Sequence, residues 1–252
     1  MKMPETFGRY ARQIMLPGWS PETQEKLSQA KVFVAGVGGL GCPATVNLAV
    51  AGVGTIKLCD ADVVALSNLN RQFLHTEQRI NTNKADSARD TLVAINSSII
   101  VEPISKRITD DNVDDLVQDS QVIVDCVDNF TTRMALNRCS VRKGIPMVHG
   151  AIWGMEGRVT LLRPPETPCF ACMFSTAPPE EDVPVLGAVP SVIGSLQALE
   201  TIKYLTGTGR LLEARMLVLD GGSMEFQELK LEKDPQCPTC GKLDQRPLKA
   251  PS

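Results

Sequence analysis

The sequence predicts an α/β fold: a doubly wound, mostly parallel sheet with a C-terminal antiparallel strand extension. Three observations predict it. Short apolar runs alternate with helical patterns from Lys31 to Ala151. A glycine-rich turn, Gly36 to Gly41, follows the first run directly and opens the first long helix. Beyond Gly154 the alternation stops and strand patterns dominate.

The elements follow in order. Residues 1–30 are polar and form an N-terminal helical arm leading into the core. Lys31 to Ala35 (KVFVA), bounded by glycine, reads as a buried strand. Leu40 to Ala51 has no charges and reads as a helix ended by Gly52 and Gly54. Thr55 to Cys59 is a second strand, and Lys84 to Ile95 a helix with Ala88, Leu92 and Ile95 on its apolar side. Strands are expected at Ile99–Ile104, Gln121–Val127 and Pro146–Ala151, with a helix at Phe130–Lys143. Alternation with short connections means a Rossmann-like parallel sheet. Glu156–Arg163 and Arg215–Asp220 read as further strands, and Met224–Leu231 as a half-exposed one. Ser191–Leu205 reads as a helix whose stripe Ile193, Leu196, Leu199 and Ile202 packs on the core. The acidic, proline-rich stretch Ser175–Pro184 is expected to be a mobile loop, and residues 242–252 a flexible tail.

Composition narrows the function classes. Hydrophobic residues are 43% and charged residues 22% of 252, a balance that excludes disorder over most of the length. Basic residues number 26 and acidic ones 29, a formal net charge of -3. That argues against nucleic acid as the main partner. The uncharged stretch from Val32 to Ile56 is long enough to span a bilayer, but its glycines, Pro43 and Asn47 make it strand, turn and helix instead. No membrane partner is expected. The first residues lack the apolar core of a signal peptide, so a cytoplasmic location is expected.

Four groups of residues carry chemistry. Gly36-Val37-Gly38-Gly39-Leu40-Gly41 sits between strand and helix, with Asp60 ending the next strand. Gly36, Gly38, Gly39 and Gly41 let backbone approach phosphate, the helix N-terminus adds free N–H groups, and such an acid commonly accepts from ribose hydroxyls. Taken alone, this pattern favours a dinucleotide. The next group changes that reading. Asp62, the run Ser67-Asn68-Leu69-Asn70-Arg71-Gln72, and Lys84 place extra cations and amides at the same sheet edge. They suggest a triphosphate, whose charge needs more neutralisation; a solvated charged loop is the bland alternative. Third, Asp125-Cys126-Val127-Asp128-Asn129 ends a strand on that edge. Asp128 suits Mg²⁺ beside phosphates, and Asn129 suits a helix cap. Fourth, Cys169/Cys172 and Cys237/Cys240 form two Cys-x-x-Cys pairs. Four thiolates match structural Zn²⁺ stapling two distant segments; two redox or unpaired dithiols are the alternative. Cys42, Cys59, Cys126 and Cys139 read as small core residues, and His75 and His149 as structural.

These motifs, with Arg9-Tyr10-Ala11-Arg12-Gln13 and Gly194-Ser195-Leu196-Gln197-Ala198, make the chain resemble the ThiF/MoeB/HesA family of sulfur-carrier adenylyltransferases, relatives of ubiquitin-activating enzymes. The resemblance spans roughly residues 7–241 and implies one zinc-stapled ATP-binding adenylation domain over 31–241. It implies ATP at the glycine turn, with Gly39 on phosphate, Asp60 on ribose, and Arg71 and Lys84, assisted by Asn68, on the phosphates. It also implies Mg²⁺ on Asp128, and Arg12 reaching a neighbouring subunit's site in a homodimer. The implied partner is a small ubiquitin-like sulfur carrier ending in Gly-Gly, whose carboxylate becomes an acyl-adenylate. Many relatives carry a cysteine in the loop after the first zinc pair; Ser175–Pro184 has none. Chemistry is therefore expected to stop at the adenylate, with a separate protein as sulfur donor. An NAD(P)-dependent oxidoreductase and a non-catalytic scaffold for a ubiquitin-like partner are the other readings.

Overall fold

The computed structural model describes residues 5–174, 176–177 and 184–242. The expectations for the loop 175–184 and the tail 242–252 fall almost wholly outside these described residues. A 3-10 turn, Glu5–Tyr10, leads into α1 (Ala11–Ile14) and α2 (Pro21–Ser28). Then come β1 (Lys31–Ala35), α3 (Gly41–Ala51), β2 (Thr55–Cys59), α4 (Lys84–Ile95) and β3 (Ile100–Ile104). α5 (Val113–Val117), β4 (Val122–Asp125), α6 (Phe130–Lys143), β5 (Met147–Trp153) and β6 (Glu156–Leu162) follow. The chain continues with α7 (Phe170–Met173), α8 (Ala188–Thr206), β7 (Arg215–Asp220) and β8 (Glu225–Lys230).

One eight-stranded sheet runs in the order β3-β2-β1-β4-β5-β6-β7-β8. Neighbours are parallel from β3 to β5 and antiparallel from β5 to β8. This is the mixed α/β, Rossmann-like architecture that the sequence predicts. Sequence order reverses between β1 and β4, which opens a crevice outside their carboxyl ends. Side-chain alternation feeds two cores. Val32, Val34, Ile56 and Leu58 join Leu48 of α3 on one face; Phe33, Ile123 and Met147 join Leu136 of α6 on the other. Among the described residues no helix is long and apolar enough to cross a membrane.

Three local expectations change. One member of the α8 stripe departs: Ile193 is buried and Leu196 and Ile202 pack on the core, whereas Leu199 is 53% exposed. α8 meets α3 closely at Gly194, where a Cβ would lie 2.3 Å from the Leu40 carbonyl. Close approach there turns Leu199 outward. β8 is exposed on both faces rather than one, since it is the last strand and among the described residues no layer covers it. The short helices α5 and α7 are additional to the elements expected.

Cys42, Cys59, Cys126 and Cys139 are all buried, as the sequence suggests. Burial pushes the thiols of Cys42, Cys59 and Cys139 up to about 12. They are poor nucleophiles at neutral pH.

Candidate active site and metal centre

The glycine turn is held from both sides. Gly36 has φ +87, and a Cβ there would lie 2.8 Å from the Cys126 carbonyl. On Gly41 a Cβ would lie 2.1 Å from the Gly36 carbonyl. Only glycine satisfies either position. The Val37 amide donates to Asp60 Oδ2 at 2.8 Å, and the Asp62 amide to Asp60 Oδ1 at 2.9 Å. Burial raises the Asp60 carboxyl above its ordinary value. Each Asp60 oxygen keeps a lone pair for a further donor such as a ribose hydroxyl.

The cationic segment packs beside this turn. Asn68 closes its own turn, with Oδ1 accepting from the Ala65 amide at 3.1 Å. The Leu69 amide donates to the Leu66 carbonyl, and the Gln72 amide to that of Asn68. Arg71 is aimed by the Ser67 carbonyl (3.1 Å) and Asn70 Oδ1 (2.9 Å). A Cβ on Gly39 would lie 3.4 Å from Arg71 Cδ and 3.3 Å from Pro190 of α8. Gln72 is buried against Gly38, with Oε1 unpartnered among the described residues. Lys84, the first residue of α4, is 7% exposed and its Nζ donates to Asp62 Oδ2 at 3.0 Å. Asn83 caps that helix and donates to the Asp60 and Asp62 carbonyls. Glycines, Asp60, Asp62, Ser67 to Gln72 and Lys84 therefore share one edge of the sheet.

The β4 loop completes this edge. Asp128 is exposed, with no hydrogen bond or ion pair among the described residues. Its free carboxylate and position fit a divalent cation shared with phosphates. Asn129 caps α6, its Oδ1 accepting from the Thr132 amide at 2.9 Å. Beneath the loop lies a buried polar group whose pairing sequence reasoning missed. Asp125 is wholly buried and its Oδ2 accepts from Arg133 Nε at 3.2 Å and from His149 Nδ1 at 2.7 Å. The Arg133 guanidinium also donates to the Val127 and Gly150 carbonyls, which ties the loop to β5. Gln197 of α8 donates to the Asp125 and Val148 carbonyls. Burial lowers the His149 imidazole below its ordinary value. A polar residue at the end of an apolar strand run, as Asp125 is, was the available signal.

Arg12 stands apart from these residues. It is exposed, and the neighbouring Gln13 side chain donates to the Ala51 carbonyl at 3.1 Å. That carbonyl ends α3, about 15 Å along the helix from the glycine turn at its start. Within one chain, Arg12 is not brought to the site.

The four paired cysteines meet. Cys169, Cys172, Cys237 and Cys240 place their sulfurs within 4.8 Å of one another. Individual separations are 3.9 Å (Cys169–Cys172), 3.7 Å (Cys169–Cys237) and 3.4 Å (Cys172–Cys240). Tetrahedral zinc with Zn–S near 2.3 Å requires about 3.8 Å between sulfurs. The thiolates fit that ion, with no position left open for substrate. Asn137 of α6 supports them, donating to Cys169 Sγ at 3.6 Å while accepting from the Phe170 amide at 2.8 Å.

Fold and site together define a nucleotide-binding protein of the Rossmann type, with its ligand crevice at the β1/β4 reversal and a four-cysteine centre beside it. The chain belongs to the ThiF family, which matches residues 10–239. It is 41% identical over 239 residues to the SAMP-activating enzyme E1 of Haloferax volcanii, covering 92% of this chain and 88% of that protein. It is 40% identical over 238 residues to the molybdopterin-synthase adenylyltransferase of Salmonella typhimurium, covering 92% and 96%. Among solved structures, E. coli MccB with ATP superposes with a TM-score of 0.79 at 26% identity, covering 87% of this chain and 68% of that one. The relatives are adenylyltransferases, and the chain is an enzyme of that kind.

Proposed function

We propose that this adenylyltransferase uses ATP to activate the C-terminal glycine of a small ubiquitin-like sulfur carrier. The observation that carries it is the shared edge formed by the glycine turn, Arg71, Lys84 and the unpartnered Asp128. The carrier carboxylate attacks the α-phosphorus, the bond to the bridging oxygen breaks, and pyrophosphate leaves. The product is an acyl-adenylate. No protein nucleophile takes part, in keeping with the high thiol values of the buried cysteines. Backbone N–H groups of the turn hold phosphate, and Arg71 and Lys84 balance the charge on the leaving pyrophosphate. Asp128 would hold Mg²⁺, which would supply charge neutralisation to the phosphates. Zn²⁺ on the four thiolates would tie the segment after β6 to the segment after β8.

The remaining assignments belong to the same proposal. Arg12, distant from its own turn, serves a second copy's site, so the working enzyme is a homodimer. The exposed Leu199 on α8 and Val50 on α3 are available to such an interface. The adenylation domain spans 31–241, with the helical arm 1–30 before it and the tail 242–252 after it. The location is cytoplasmic, and sulfur arrives from a separate protein. An oxidoreductase would leave Arg71, Lys84 and Asp128 without work.

ATP–pyrophosphate exchange with a carrier ending in Gly-Gly tests this. Asp128→Ala is expected to lower exchange at least about a hundredfold with the fold intact. Arg12→Ala is expected to fail alone, yet to regain part of the activity when mixed with Asp128→Ala. Full activity of Asp128→Ala would displace the metal from this residue. Absence of complementation would count against a shared site, and absence of exchange in the wild type would leave the scaffold reading.

A further inference from the structure

His75 is buried at 4% exposure, and none of the steps above uses it. Its Nε2 lies 3.1 Å from the Val37 carbonyl and its Nδ1 2.9 Å from Ser87 Oγ. A carbonyl only accepts, so the ring proton sits on Nε2, and the Ser87 hydroxyl donates to Nδ1. The Cys42 thiol is a weaker second donor to the same carbonyl, at 3.6 Å. Val37 is thus fixed at three points. Its side chain is in the core, its N–H is on Asp60, and its C=O is on His75.

We propose that His75, oriented by Ser87, is a positioning residue for the phosphate-binding turn: it anchors the Val37 carbonyl so that the Gly38 N–H faces the nucleotide phosphates. The inference rests on the ATP reading above. Its physical basis is peptide planarity. In a trans peptide the C=O and N–H point in opposite directions. A Val37 carbonyl drawn inward by His75 therefore turns the Gly38 N–H out of the core. The preceding peptide obeys the same logic. Its N–H is drawn to Asp60, and its Gly36 carbonyl points the other way, against Gly41. Among the described residues nothing accepts from the Gly38 N–H. Without the imidazole, only the weaker Cys42 thiol holds the Val37 carbonyl, and glycine on the far side of the Val37–Gly38 peptide offers little resistance to its rotation.

The test uses the full chain in pyrophosphate exchange, with adenosine as a competitor that lacks phosphate. His75→Leu is expected to raise the KM for ATP about tenfold, leaving the carrier KM and the adenosine inhibition constant within about twofold. His75→Gln keeps an N–H donor at the matching position and is expected to restore most of the loss. Ser87→Ala is expected to fall between. An equal loss toward ATP and adenosine, or a lower melting temperature with the ATP KM unchanged, would overturn the proposal. Should His75→Leu not fold, Ser87→Ala decides it, because an unchanged ATP KM in that variant is equally fatal. Should the wild type show no exchange, the adenylation reading fails instead, and calorimetric ATP binding to wild type and Ser87→Ala still tests the turn.

Discussion

Arg133→Met removes one guanidinium from the buried group under the Asp128 loop. Asp125 is 0% exposed and Arg133 15% exposed. Breaking a buried pair by deleting one partner costs about 3–5 kcal/mol. The lower end is expected here, because His149 still donates to Asp125 at 2.7 Å. A domain stable by roughly 5–15 kcal/mol survives that loss, so the variant should fold. Urea unfolding near pH 8 should show a lower midpoint at constant slope. The pH dependence sharpens the test. Arg133 is one of the cations that hold the His149 imidazole down. Its removal lets His149 take a proton beside Asp125 as the pH falls. The folded variant then binds more protons than the folded wild type, and the stability deficit should shrink toward about pH 6. A deficit under about 1 kcal/mol at pH 8, or one that grows on acidification, would refute this account of the buried group.

Two further outcomes are expected. Burial holds both His75 and His149 below their ordinary value. The unfolded chain takes up protons near pH 6.5, before the folded chain does, so wild-type stability should be complete above that pH and fall below it, by at most about 2.7 kcal/mol per pH unit. Urea midpoints between about pH 8 and pH 5 check this, and a flat profile would contradict it. Native mass spectrometry should find one zinc per chain; its removal by a chelator should expose residues 163–174 and 231–241 to protease, whereas a metal-free chain of unchanged protease resistance would contradict the staple.

Legibility in the sequence followed physical scale. Strands and long helices were readable to within a residue or three, because whole apolar runs or helical faces commit each of them. Thus Lys31–Ala35, Thr55–Cys59, Lys84–Ile95 and Phe130–Lys143 coincide with β1, β2, α4 and α6. α5 and α7, with five and four residues, are too short to show a period. Leu199 misled because a stripe of large apolar residues ignores the small ones, Gly194 and Ala198, that permit close helix contact. The glycine turn, the cation run and the paired cysteines were legible because their spacing is local. The association of Asp125, Arg133 and His149 was not, because only the pairing of β4 with β5 brings Asp125 opposite His149. His75 reads as structural from the sequence. Its contact with the glycine turn depends on a fold-back of 38 residues that no local pattern records.

The most direct measurement of the central claim is the intact mass of the carrier after incubation with the enzyme, ATP and Mg²⁺ under conditions that preserve acyl-adenylates. The account predicts a carrier heavier by one AMP, with equimolar pyrophosphate released. A carrier of unchanged mass beside bound, intact ATP would contradict it.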